Sequence, residues 1–275
     1  MTSIYETMTT INGHLEKEHL CCPPYNSING KFINDAGLCI KNNDLTKLRG
    51  LVTCQVSLPW RRAYQMVYRY RELDIFKPFL KVIDFSTICL EHTNWICSYL
   101  SLAPVIEGLL YRWHEEEPLF EWGKEGKIKY FIRQKIDQQI RSSLNKDQHY
   151  DSWLLTFCDY ISDVLNNVFY NSEDNERTSN THFNRHVVLH MKQDPEYFNE
   201  PINTCRLLLI MDVIAELYFR TNYDKYPKLH GVFDLDFNKD LFNKYWKFYL
   251  ACSESSLITG NHECYLTNTF YKEKS

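Results

Sequence analysis

Ile202-Asn203-Thr204-Cys205-Arg206-Leu207-Leu208-Leu209-Ile210-Met211-Asp212-Val213-Ile214-Ala215-Glu216-Leu217-Tyr218-Phe219 decides what kind of fold this chain can adopt. Beyond its first turn only Arg206, Asp212 and Glu216 interrupt its apolar character, so a helix here must bury most of its circumference against other helices. Asp212 and Glu216 also make it a poor membrane span. The 275-residue chain is 44% hydrophobic and 15% aromatic, with only nine Gly and nine Pro, which argues for a folded core and against extensive disorder.

Upstream, Tyr150 to Tyr170 reads as a helix with Trp153, Leu154, Phe157, Ile161, Leu165 and Val168 on its apolar side, ended by the polar stretch Asn171 to Glu176. Lys124 to Lys146 is the clearest amphipathic helix, since Ile128, Ile132, Ile136, Ile140 and Leu144 recur every fourth residue. Between Leu58 and Tyr111 the pattern is again helical. An aromatic, arginine-rich part runs from Trp60 to Phe76, an apolar part begins at Ile83, and Pro104 starts or kinks a helix. Downstream, Phe242, Tyr245, Trp246, Phe248 and Tyr249 mark a final helix.

Residues 1 to about 56 read as mixed and loop-rich, with turn signals at Cys22-Pro23-Pro24, Asn29-Gly30 and Asn42-Asn43-Asp44. No alternating strands, internal repeat or low-complexity tract stands out. The expectation is an all-α, mainly helical bundle with a loop-rich N-terminal extension and a helical C-terminal tail. The divisions expected are an accessory region at 1–84, a helical domain at 85–220 and a helical extension at 221–275.

A net charge of −4 gives no global field that recruits nucleic acid, so contact with phosphates requires a local patch. The best local candidate is the cationic part of the 124–146 helix, with Lys127, Arg133, Lys135 and Arg141 as RNA-binding residues; the alternative is a solvated helix face. The ten cysteines include no Cys-x-x-Cys pair and most sit in apolar runs, as small core residues do. With no leader-like start and no membrane span, reduced thiols and a cytoplasmic location are expected.

The chemistry-bearing stretch is Phe183-Asn184-Arg185-His186-Val187-Val188-Leu189-His190, just ahead of the long apolar helix. It sets a permanent cation beside groups that titrate near neutral pH. A second reading is a metal site, because His182, His186, His190 and Asp194 recur every fourth residue and neighbours at that step share a helix face. Against it, His186 is not followed by Glu as in the zinc-protease arrangement, and no metal or other cofactor is expected. The third reading is packing alone. Arg177 and His182 repeat the Arg-x4-His spacing within a polar loop and are read as coincidence.

Asn184-Arg185-His186-Val187-Val188-Leu189-His190, followed by Asn203 and Arg206 at the start of the apolar helix, resembles the Arg-(Asn/His)-x3-His signature of the HEPN superfamily. Leu102-Ala103-Pro104-Val105-Ile106-Glu107-Gly108-Leu109-Leu110 is similar to an earlier helix of bacterial members, and the resemblance covers about residues 85 to 220. Met191 stands where many relatives carry Gly. The resemblance implies an all-helical domain that often dimerises and frequently acts as a metal-independent endoribonuclease in bacterial or phage-related toxin and antiviral defence systems, with an antitoxin or regulatory protein as a possible partner. Other members bind nucleotides or partner proteins without catalysis.

By position, the resemblance makes Arg185 and His190 the catalytic pair and His186 the polar residue that orients them. Glu107, Asn184 and Asn203 would support that pair. On a straight helix Arg185 and His190 lie roughly 140° apart, so a two-fold dimer is expected to bring an Arg and a His to the same phosphate. RNA supplies its own 2′-hydroxyl nucleophile, leaving the protein to move protons through His190 and to neutralise the phosphorane through Arg185.

Overall fold

A computed structural model describes residues 4–24, 30–116, 156–161, 163–169, 199–230 and 237–258. Among them every regular element is helical and no strand occurs, as the sequence pattern predicts. The principal helices are α1 (Ile4–Leu15), α2 (Gly30–Lys41), α3 (Leu45–Ser57), α4 (Pro59–Gln65), α5 (Leu80–Glu91), α6 (Trp95–Glu115), α7 (Pro201–Thr221) and α8 (Lys239–Ile258). A further helical stretch covers 156–161 and 163–164 and continues into a π-helical turn at Leu165–Phe169.

The N-terminal expectation needs correction, because the loop-rich region contains α1, α2 and α3. The turn signals there are real but punctuate short helices. Asn43 takes the left-handed conformation (φ 53°), and Asp44 then caps α3 by accepting from the Lys47 N–H at 2.9 Å. Helix formation in this region rests on burial: Met8, Ile11 and Leu15 line one side of α1, and Leu48 and Val52 do the same in α3. These residues share one continuous core with α5, α6, the 156–169 stretch and α7.

The α5–α6 turn repeats the device, with Thr93 left-handed (φ 60°) and Asn94 accepting from the Cys97 N–H at 3.2 Å. Two small residues then allow the helices close approach. Ser86 Oγ donates to the Ser98 carbonyl and Ser98 Oγ to the Ser86 carbonyl, each at 2.8 Å and fully buried. Pro104 lies inside α6 rather than at its start. Gly108 is required by packing, since a Cβ there would lie 2.5 Å from Cζ of Phe79.

Helix α7 is the centre of the fold, packing on α3 and α6 and burying sixteen residues, including Asp212 and Glu216. Arg62 meets Asp212 through two hydrogen bonds, of 2.5 and 3.3 Å, and the Tyr70 hydroxyl donates to the same carboxylate. One turn on, Glu216 accepts from Arg220 at 2.6 Å and faces Arg69 at 3.9 Å. A π-helical turn at Met66–Tyr70 follows α4 and carries Arg69 and Tyr70 to these acids. Helix α8 packs on α4 and α5 and closes a second small core of Ala63, Val67, Tyr68, Phe242 and Tyr249.

Nine cysteines are described as free thiols, all buried except Cys97, which fits their reading as small core residues. No described helix is long and apolar enough to cross a membrane.

Candidate functional site

Helix α6, which holds Leu102–Leu110, and helix α7, which begins after the Asn184–His190 motif, are packed neighbours. They run parallel: Thr204 Oγ1 donates to the Trp95 carbonyl at 3.3 Å near their starts, and Trp113 meets Tyr218 edge-on near their ends. Glu107 lies half-buried on α6, twelve residues beyond Trp95, hence roughly 18 Å further along the pair. Asn203 is buried beside Thr204 at the opposite end, so these two expected supporting residues do not share one site.

Asn203 instead belongs to a polar cluster at the head of α7. Its side-chain oxygen accepts from Arg206 Nη1 at 2.8 Å, while Arg206 Nε donates to the Glu18 carbonyl at 3.0 Å. The Glu18 carboxylate lies 3.8 Å from Arg206 and 3.4 Å from Arg49. His19 follows in the left-handed conformation (φ 53°), and its carbonyl accepts from the Tyr160 hydroxyl at 3.1 Å. Tyr160 thereby ties the 156–161 stretch to the end of α1.

Burial, reinforced by the Arg206 charge, pushes the His19 pKa below its ordinary value, against the opposing pull of Asp163 and Glu18. The ring therefore favours its neutral form near pH 7, and its buried Nδ1 has no hydrogen-bond partner among the described residues. Beside this cluster opens a cavity of about 350 Å³ between α1 and the 156–164 stretch. Among the described residues Glu16, Asp159 and Asp163 line it together with Leu20, Cys21 and Val164, and no Lys, Arg or His does. That chemistry is unsuited to phosphate.

The residues expected to carry catalysis, Arg185, His186 and His190, lie outside the described residues, as does Asn184. The same holds for the basic set Lys127, Arg133, Lys135 and Arg141, and for the histidine ladder with Asp194. Among the described residues no group of three or more His, Cys, Asp or Glu side chains is arranged to hold a metal ion.

Sequence reading overlooked His19, Tyr160 and the Arg62–Tyr70–Asp212 core. Only the last left a clear signal. Two acids isolated in an otherwise apolar helix require buried cations, and the arginine-rich stretch from Trp60 to Phe76 supplies them. Comparisons with protein-family models, curated proteins and solved structures find no match.

Proposed function

We propose that this protein is a HEPN-like, metal-independent endoribonuclease acting as a dimer in a toxin or defence setting, with Arg185 and His190 as its catalytic pair. The observation that carries the proposal is the Asn184–His190 motif, whose His190 lies eleven residues before Pro201, the first residue of the buried central helix. The all-helical fold of the described residues supports it, being the class of fold that the resemblance implies.

In this mechanism His190 accepts the 2′-hydroxyl proton or protonates the departing 5′-oxygen, and Arg185 holds the non-bridging oxygens as charge builds on phosphorus. The 2′-oxygen bonds to phosphorus as the P–O5′ bond breaks, leaving a 2′,3′-cyclic phosphate and a 5′-hydroxyl. His186 orients the pair, and a second copy of the chain completes the site. Arg206 anchors the head of α7, which follows the motif in sequence, to Glu18.

A non-catalytic module that binds a nucleotide is less well supported, since the described lining of the cavity between α1 and the 156–164 stretch presents carboxylates to it and no cation. The test is RNA cleavage in excess EDTA. Arg185→Ala and His190→Ala are each expected to lower the rate at least about 100-fold with helicity unchanged. Undiminished cutting by both variants would remove the site assignment.

A further inference from the structure

Glu91, the last residue of α5, is buried at 3% exposure in the wedge between α4, α5 and α8. Arg62 of α4 acts on it through its charge, the Ser253 hydroxyl of α8 bonds to it, and Glu91 in turn acts on the buried Cys252 of α8. Three features disfavour its ionised form. The carboxyl is closed off from solvent, it sits at the negative C-terminal end of α5, and the guanidinium of Arg62 already gives two hydrogen bonds to Asp212. Burial accordingly pushes the Glu91 pKa well above the ordinary carboxylate range, outweighing the Arg62 charge and the Ser253 bond, which pull it down.

The other titratable groups at this interface hold α8 in place or face away from it. Asp84 accepts from the Tyr249 hydroxyl at 2.7 Å, and His92 Nδ1 meets Ser255 Oγ at 3.4 Å. Burial raises the pKa of Cys252, which keeps the thiol protonated, and Glu254 is exposed on the outer side of the helix.

Helix α8 is the element this carboxyl can release. Phe242 and Tyr249 close the small second core over Ala63, Val67 and Tyr68, whereas none of the buried residues of the larger core belongs to α8. Lifting α8 therefore opens the small core and leaves the larger one closed.

We propose that Glu91 is a proton-operated latch on α8: the protonated carboxyl stays sealed under the docked helix, and giving up its proton to solvent releases the helix from α4 and α5. The inference stands apart from the ribonuclease reading and concerns the fold's own response to pH. In the lifted state the carboxyl is hydrated and ionises near its ordinary value of 4.5, while the docked state keeps the proton to higher pH. Over that interval the docked state carries one proton more. Docking is thus strongest in acid, and the docked-to-lifted ratio falls about tenfold for each pH unit until the docked carboxyl itself ionises.

The test is hydrogen exchange on the full chain between about pH 6 and 9, with each rate divided by its intrinsic rate at that pH. Amides of α8 are expected to exchange ahead of those of α7, and their protection to fall about tenfold per pH unit in the lower part of the range. Glu91→Gln, which keeps the shape and cannot ionise, should reduce that slope to less than about twofold per unit and leave α8 better protected at the alkaline end. Glu254→Gln should keep the wild-type slope. A flat wild-type profile, a slope that survives Glu91→Gln, or equal flattening in Glu254→Gln overturns the proposal. So does exchange of α8 together with α7 at every pH, because Glu91 would then act on the whole fold and not on one helix. The wild-type profile alone decides the first and last of these outcomes, so the proposal stays open to refutation even where Glu91→Gln does not fold.

Discussion

The middle and the head of α7 use charge in opposite ways. At Asp212, the carboxylate is sealed in the core and met by Arg62 and Tyr70. Six residues earlier, Arg206 sits at the edge of the fold, shared between Asn203 and Glu18 next to an open cavity and a neutral-leaning His19. The middle has the character of a structural lock, because its charges are already matched and shielded from ligand. The head retains partly solvated polar groups, and the chemistry-bearing motif leads into it in sequence.

The comparison breaks most readily at the lock. Asp212→Ala leaves Arg62 buried without its carboxylate and is expected to cost about 3–5 kcal/mol, read as a lowered midpoint in chemical denaturation. At the head, Arg206→Ala strips Asn203 and the Glu18 carbonyl of a donor, with an expected cost of about 1–3 kcal/mol. A loss at Arg206 as large as that at Asp212 would erase the distinction between the regions.

A smaller effect sharpens the comparison from outside α7. The Lys77 hydrogen bond, assisted by Lys225 and Tyr226 against partial desolvation, lowers the Asp74 pKa to about 2. Its folded value lies below the unfolded one, so this contribution is present above about pH 4 and is lost as the pH falls towards 2. Asp74→Asn should flatten that part of the stability–pH curve, as thermal melts across the interval would show. An unchanged acid slope would assign the sensitivity to other groups.

Much of the architecture is legible from apolar spacing. The burial of α7 follows from its sparse polar residues, and Phe157, Ile161, Leu165 and Val168 are buried as their spacing predicts. The final helix is likewise present as α8. The N-terminal helices are harder to read because Asn, Gly and Thr supply weak local propensity, while packing on distant residues stabilises the helical state.

Polar pairing is less legible still. Arg62 and Asp212 lie 150 residues apart, and neither sequence neighbourhood specifies the other's geometry. Asn203 was recognisable as a polar residue at a helix start, but its bond to Arg206 and its axial separation from Glu107 depend on how α6 and α7 pack. The Asn184–His190 motif is legible as chemistry from residue types alone, whereas residue types do not specify where its side chains sit relative to one another.

The central claim is tested most directly by presenting the protein, in EDTA, with an RNA and the all-deoxy strand of the same sequence, and analysing the ends produced. The account predicts that only the RNA is cut, giving 2′,3′-cyclic phosphate and 5′-hydroxyl ends. Cleavage of the deoxy strand, or cleavage of RNA only after a divalent metal is restored, would contradict it.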